Sequence, residues 1–528
     1  MSAKQILLAS LILEQHCGDI VARIGKNILN KGFTTLSSIA LDTGFSKNKI
    51  RKALCQLIQH NLVKCQKNQR GFITYTGQLS NIFAIMYYPR FIQKAKMLFG
   101  DVAELIVEQL LLHGWMTMTS VVTRVTQRLH DPQAEASVAI NEYQVSEQFA
   151  NMASMHLLQH STLESIDPSK APPNESEKYQ LPRAYTPTVS ASHRRKASFN
   201  NDKISIDFQD SDIFWQVNIQ QFNVHLVDEI IVDGTRNCID EIASKVMDVM
   251  CKMTNVDRSC FSDKTKRLGF YEIAENLSHQ EMSEGDLLSW LSILEQEKGG
   301  FVTKQSDSSG GLYAINIKNI LHALSLACIE SIIKENLGAK SFRIFNCLRM
   351  KGYLEQQQRC FIGYCVLTYK TDKNPIEDFC MIPSKEAKEL VYKLVEENFV
   401  NLLEVPRSAD YAPSRTLYLF GVNVPQVCRM LLDKIYTILA NIKIRQCEES
   451  KQETRLLEKS ERLEGTISSL QSQGFDEDSQ AVKDIREMMT DYEKERLVRL
   501  ENIVKKCDHG EMQVTETLFV FSQFVILT

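Results

Sequence analysis

One junction recurs four times along the chain, and it limits the folds open to this sequence more than any other feature. Residues 57–63 (LIQHNLV), 152–158 (MASMHLL), 294–302 (LEQEKGGFV) and 394–400 (LVEENFV) each run from a helical apolar stripe into a short β-prone stretch. The fourth is the clearest. Ala387, Leu390, Val391, Leu394 and Val395 fall at i, i+3, i+4, i+7 and i+8, which gathers them on one helical face. Residues 399–405 then read as a strand, 406–413 as a polar turn-rich tip, and 416–422 as a returning strand. Strand starts at Leu62, Leu157, Phe301 and Phe399 lie 95, 144 and 98 residues apart. Setting aside a polar segment of 52 residues, 161–212, brings the middle interval to 92. A repeat of this length means duplicated domains, because solenoid units run to about 20–50 residues.

A helix followed by a two-stranded hairpin with a long tip is the C-terminal half of a winged helix. The chain therefore reads as mainly α with small β-hairpin wings: four tandem extended winged helices and a C-terminal antiparallel coiled-coil hairpin. The spacing puts the units at 1–80, 81–220, 221–317 and 318–424, with the hairpin over 425–528. In the first, two amphipathic helices occupy 4–31 and a helix–turn–helix begins at Leu36 and turns at Gly44. Ser46 is the expected cap of a recognition-type helix over 47–60, with Ile50, Leu54, Leu57 and Ile58 inward, and 62–65 and 71–76 form its wing. Helices are expected over 101–113, 118–129 and 144–156 in the second unit, and over 222–253, 271–277 and 284–296 in the third. The fourth is approached by helices over 320–337 and 339–358. Residues 359–375 (RCFIGYCVLTYKTDKNP) break that helical run with strand-like residues and a proline, and read either as an insertion or as a sequence that does not belong to the main product. In the hairpin, Leu456, Leu463 and Leu470 recur every seven residues, and Ile485, Met489, Tyr492, Leu497, Leu500, Val504 and Cys507 return after a turn at 474–479.

Segment 161–212 holds five of the twelve prolines and few apolar residues, so it cannot bury enough surface to offset its ordering entropy. It is expected to be a disordered insertion in the second wing. Within it, the run Arg194, Arg195, Lys196, Ala197, Ser198 reads first as a solvated charge run in a loop, and also suits a basophilic kinase acting at Ser198.

Composition narrows the class. Fourteen cysteines without a CxxC pair suit reduced thiols in a cytosolic or nuclear protein. No apolar run approaches the ~20 residues of a membrane span, and no signal peptide opens the sequence, so a soluble intracellular chain is expected. Phosphate-loop, HExxH, GxSxG and Cys/His zinc spacings are all missing, which leaves no candidate for catalysis, metal or cofactor.

Charge carries the strongest functional signal. The net charge of −4 conceals a stretch from Thr43 to Gly100 with no Asp or Glu. It holds ten cations: Lys47, Lys49, Arg51, Lys52, Lys64, Lys67, Arg70, Arg90, Lys94 and Lys96, interleaved with Phe72, Tyr75, Tyr87, Tyr88 and Phe91. Solvated faces normally mix both signs. A one-sign cluster suits phosphates, and exposed rings suit unpaired bases. Lys47, Lys49, Arg51, Lys52, Lys64, Lys67 and Arg70 are the expected DNA-binding set. The recognition-type helices of the third and fourth units carry Glu284, Asp286, Glu295 and Glu297, and Glu386, Glu389, Glu396 and Glu397, which suits docking to protein.

ALCQLIQHNLV (53–63), YPRFI (88–92), AELIVEQLLLHG (103–114), FWQVN (214–218), IEDFCMIPSKEAKELVYKLVEENF (376–399), APSRTLYLF (412–420) and LLEKSERLE (456–464) together resemble one family over almost the whole chain. It is the C-three winged-helix subunit of RNA polymerase III, related in part to the initiation factor TFIIE. The resemblance implies a nuclear, non-catalytic subunit. It would join two partners in a detachable trio on the polymerase core, including its clamp region, and support promoter opening at transfer-RNA, 5S ribosomal RNA and other small-RNA genes. Promoter DNA, duplex or opened, is the implied nucleic-acid partner. Two stretches depart from the family, 359–375 and the terminal FSQFVILT. Without the resemblance, a free-standing winged-helix regulator and a cullin-like or proteasome-lid-like scaffold would also stand.

Overall fold

The computed structural model describes residues 2–67, 71–129, 142–161, 177–181, 213–256, 258–259, 261–277, 283–297, 299–306, 310–355, 379–406, 416–472, 484–485 and 488–528. These fall into two compact units. The first comprises residues 1–229, 253–260 and 443–468, and the second 230–252, 261–442 and 469–528.

The first unit opens with helices α1 (Ala3–Cys17) and α2 (Asp19–Lys31), packed face to face. There follow β1 (Phe33–Thr34), α3 (Leu36–Thr43), α4 (Lys47–Gln59), β2 (Val63–Lys67) and β3 (Ile73–Gly77). The three strands form an antiparallel sheet in the order β1-β3-β2, with Val63 opposite Gly77 and Thr34 opposite Tyr75. This is a complete winged helix. Ile39, Ile50, Leu54, Leu57, Val63 and Cys65 are buried between helices and sheet.

Helices α5 (Leu79–Ala84) and α6 (Tyr88–Phe99) lead to the second copy. It consists of α7 (Asp101–His113), α8 (Met118–Leu129), α9 (Glu142–Ser154), β4 (Leu158–His160) and β5 (Trp215–Val217). Trp215 is fully buried, edge-on to Phe149 at 5.3 Å, and its backbone bridges to Met116. Most of the segment expected to be disordered, and Ser198 with it, lies outside the described residues. Part of it does not. Residues Glu177–Tyr179 form a 3-10 turn, and Tyr179 stacks on His156 at 3.8 Å.

The third copy follows the same plan with one correction. The single helix expected over 222–253 is two, α10 (Ile219–Cys238) and α11 (Glu241–Thr254). Asp240 starts the second, its carboxylate accepting from the Glu241 N–H and its carbonyl from the Ser244 N–H. In the second unit, β6 (Leu268–Gly269), α12 (Phe270–Leu277), α13 (Glu284–Gln296), β7 (Val302–Ser306) and β8 (Leu312–Ile315) then form a sheet in the order β6-β8-β7.

The fourth copy begins with α14 (Ile317–Lys351), bent at Gly338 (φ 83°), where the sequence places the break. The second half was expected to reach residue 358, but it stops at Lys351 on Gly352 (φ 81°). Leu354 and Glu355 instead make β9, pairing with the returning strand of the wing, which is central in the sheet. Helix α15 (Ser384–Glu396) and strands β10 (Asn401–Pro406) and β11 (Thr416–Gly421) complete a sheet in the order β10-β11-β9. Residues 359–375 lie outside the described residues, as does the wing tip.

The four junctions are stereochemically one device. Each helix unwinds through a left-handed residue: Asn61 (φ 54°), His156 (φ 59°), Gly300 (φ 56°) and Asn398 (φ 61°). Asn, His and Gly are the residues that tolerate this conformation best. The next amide turns back onto the helix: Leu62 donates to the Leu57 carbonyl (2.9 Å), Leu157 to Met152 (3.0 Å), Phe301 to Leu294 (3.1 Å) and Phe399 to Leu394 (2.9 Å). Those donors are the residues the spacing picks as strand starts, although the paired strands begin one or two residues later. Three copies close alike at the far end too, with the amides of Gln78, Asn218 and Asn316 donating to the carbonyls of Leu62, Leu157 and Phe301.

Helices α16 (Val424–Gln452), α17 (Thr454–Ser472) and α18 (Asp491–Ile526) end the chain. Thr490 caps α18 in a reciprocal box with Glu493, which leaves Tyr492 exposed, not in the apolar seam expected from the sequence. Leu500 is buried and Leu497, Val504 and Cys507 are half-buried on the same face. The FSQFVILT stretch is core of the second unit: Phe521 and Phe524 are fully buried, and α18 packs on α14 with Phe524 5.5 Å from His322.

Candidate nucleic-acid interface

Helix α4 buries Ile50, Ala53, Leu54 and Leu57 against the first core. With 3.6 residues per turn, that fixes Lys47, Lys49, Arg51 and Lys52 on the outer side, and all four are exposed. On β2 the alternation that buries Val63 and Cys65 turns Lys64 outward, and Lys67 is exposed at the tip opposite Ile73. Arg70 lies outside the described residues. None of these six cations forms an ion pair among the described residues.

The start of α4 concentrates positive potential. Its first turn holds no acid, so Lys47 and Lys49 sit at the positive end of the helix dipole. Ser46 occupies the cap position as expected, yet its hydroxyl makes no capping bond. Like charges at a helix end cost about 0.3–1 kcal/mol each at the surface. An anion placed there would satisfy both the dipole and the free amides. Asp42, just upstream, is committed elsewhere: Lys31 binds it at 2.5 Å and holds its carboxyl below the usual range. Tyr75 on β3 is half-buried, and burial raises its phenol while the charge of Arg51 pulls it the other way.

The structure trims the sequence cluster. Lys94 pairs with Glu229 at 3.2 Å and Lys96 with Glu104 and Asp101 at 2.7 and 3.1 Å, so both are neutralised within the chain. The aromatics shrink further. Phe91 is fully buried against Phe222 at 5.1 Å, Tyr87 is buried, and burial pushes the Tyr88 phenol up to about 12. Phe72, beside the wing tip, is the ring of this group that stands exposed.

The acids of the third and fourth copies also separate. On and just beyond α15, Glu386, Glu389 and Glu397 pair with Lys340, Lys393 and Lys434. On and just beyond α13, Glu284, Asp286, Glu295 and Glu297 form no ion pair among the described residues. Asp286 instead accepts from the Ser283 hydroxyl and donates its amide back to the same oxygen, closing the first turn.

Sequence reasoning missed one polar cluster, in the first unit. Arg258 and Asp228 form a buried ion pair at 2.5 Å, and the guanidinium also donates to the Val224 carbonyl. Beside them Gln221 donates to the Asn255 carbonyl, and burial with Lys94 and Arg258 nearby pushes His225 down to about 4. The partners lie some thirty residues apart in sequence, and no spacing rule joins them.

Comparison with known proteins covers both ends of the chain. A family model for the RNA polymerase III subunit RPC82 helix-turn-helix domain matches residues 7–67, and one for RNA polymerase III subunit RPC82 matches 119–324. A POLR3C C-terminal winged-helix model matches 365–422, which takes in residues 365–375 of the stretch read as an insertion. The helical hairpin domain of DNA-directed RNA polymerase III subunit RPC3 matches 455–520. DNA-directed RNA polymerase III subunit RPC3 of Homo sapiens is 36% identical, with 100% of this chain and 99% of the relative aligned. The proteins of the same description from Rattus norvegicus and Bos taurus are each 36% identical, over 99% of both chains.

Proposed function

The chain belongs to the RPC3 family of RNA polymerase III subunits, and from that premise we propose that it is a non-catalytic initiation subunit that holds promoter DNA through its first winged helix. It acts in the nucleus within a detachable trio, bound to two partner subunits and to the polymerase core at its clamp region. There it supports promoter opening at transfer-RNA, 5S ribosomal RNA and other small-RNA genes. The four copies divide at 1–80, 81–220, 221–317 and 318–424, and the hairpin over 425–528 gives them a common support.

One observation carries the DNA reading. Six exposed cations, Lys47, Lys49, Arg51, Lys52, Lys64 and Lys67, stand on one recognition helix and one wing without an ion-pair partner among the described residues. Lysines are point charges suited to phosphates, and only a guanidinium forks onto a guanine edge. Contact is therefore chiefly with the backbone, with little reading of sequence. The burial of Phe91, Tyr87 and Tyr88 leaves Phe72 to stack on an unpaired base. A photoreactive residue in place of Lys49, in polymerase III assembled on a transfer-RNA promoter, tests the proposal. A crosslink to promoter DNA supports it, and a crosslink confined to polymerase polypeptides refutes it.

A further inference from the structure

We propose that strand β10 of the fourth winged helix accepts an extended segment of a protein partner, which adds a strand between Asn401 and Val405 to an edge that pairs with no other strand among the described residues. In the three-stranded sheets the strand after the recognition helix lies at an edge: β2, β7 and β10. An edge strand offers unpaired amides and carbonyls, and chains that leave such an edge uncovered usually guard it with charged side chains, above all lysine, with proline or with a bulge. β2 does so with Lys64 and Lys67 exposed and Val63 and Cys65 buried, and β7 with Lys304 exposed and Val302 buried.

β10 departs from that pattern. Its sequence, NLLEVP, has no lysine and no fully buried side chain; Glu404 is its one charge and Pro406 ends it, which leaves Asn401, Leu402 and Leu403 without such a guard. Counting from the shared junction, Leu402 stands where Cys65 stands in the first copy, yet it is 40% exposed against 6%. Leu403 is 45% exposed and replaces Gln66. The two leucines lie on opposite faces, because Leu402 is opposite Phe420 and Leu403 opposite Leu419. Phe420 is buried beneath Tyr392, whose ring meets it edge-on at 6.2 Å, so Leu402 borders a core that ends abruptly at the open edge.

An incoming strand would supply what each feature lacks. Its backbone would pair with the β10 edge, and its alternate side chains would cover Leu402 on one face and Leu403 on the other. Glu404 is exposed and forms no ion pair among the described residues, so the strand should bring a lysine or arginine opposite it. A nucleic-acid strand fits none of this, since the edge carries a carboxylate and two leucines.

Hydrogen exchange on the full chain, alone and within assembled polymerase III, tests the proposal. Amides of residues 401–405 should slow by at least about an order of magnitude on assembly. A photoreactive residue at Leu403 should crosslink in the assembled enzyme to one polypeptide segment other than this chain. Glu404→Lys should lose both the protection and the crosslink, and Leu403→Lys, without the crosslinker, should lose the protection, while α15 keeps its own exchange rates in both, which shows the domain still folded. Unchanged exchange at 401–405 on assembly overturns the proposal. So does protection that survives both variants, or a crosslink to DNA or to a second copy of this chain. None of these readouts involves the first winged helix, so the DNA proposal can fail without affecting this one.

Discussion

The first and fourth winged helices are built on the same frame and display opposite surfaces. Both end the recognition helix on a left-handed asparagine, Asn61 or Asn398, and both return the next amide to a buried leucine carbonyl at 2.9 Å. Both place the following strand at the edge of a three-stranded sheet. On that frame α4 begins with Lys47 and Lys49 and carries no acid in its first turn, whereas α15 begins with Glu386, already paired with Lys340. Where β2 carries Lys64 and Lys67, β10 carries Asn401 and Glu404, and β10 exposes Leu402 and Leu403 between them. The residues that fix the fold point inward or sit at the turn, so the outward positions were free to diverge. Fold alone does not separate the two proposed roles; the proposals rest on charge and edge chemistry.

If the frame is shared, its core should be equally costly to damage in both copies. Leu57→Ala and Leu394→Ala each remove a buried side chain at the equivalent position, and each should cost about 2–5 kcal/mol of local stability by native-state hydrogen exchange. A large loss in one copy and none in the other would break the equivalence.

Buried charge in the first unit should behave unlike the displayed charge of α4. His225 is held down to about 4 by burial and by Lys94 and Arg258. Its free value is about 6.5, so the unfolded chain takes up the proton first as pH falls. The stability it contributes is complete above about pH 6.5 and is lost as pH falls toward 4. His225→Gln should flatten that part of the stability–pH curve for the first unit, and an unchanged curve would contradict the account.

The turn predicts a smaller, matched effect. Asn61→Ala and Asn398→Ala should each cost about 1–2 kcal/mol, the ordinary penalty of a left-handed residue with a Cβ. The glycine variants should cost less, because glycine adopts that conformation freely. Local hydrogen exchange at Leu62 and Phe399 reads both pairs.

The repeat was legible because it is written in local terms: an apolar stripe, a turn residue and a β-prone run within a few residues of one another. Helices 101–113, 118–129 and 284–296 match their expected bounds to the residue for the same reason. The helix expected over 222–253 runs past its true break because Ile239 keeps the apolar period across the cap signal at Asp240. Strand β9 escapes notice, since two residues after Gly352 carry no period of their own and pair with β11, some sixty residues on. Of the candidate site, Lys47, Lys49, Arg51, Lys52, Lys64 and Lys67 were found by sign alone. Sign could not show that Lys94 and Lys96 are neutralised, for Glu229 lies 135 residues from Lys94. Nor could sequence tell a stacking ring from a core ring: Phe91 and Phe72 look alike until one is buried.

The central claim is that the first copy, and not the fourth, binds phosphates. It is tested most directly by the salt dependence of DNA binding by the full chain. Each phosphate neutralised contributes roughly 0.9 to the slope of log affinity against log salt on duplex DNA. Replacing Lys47, Lys49 and Lys52 together by alanine should flatten that slope by about two to three units, with equal losses on unrelated sequences. The matching variant of α15, with Lys385, Lys388 and Lys393 replaced by alanine, should leave it unchanged. Equal slopes for wild type and the α4 variant, or a flattening only in the α15 variant, would contradict the account.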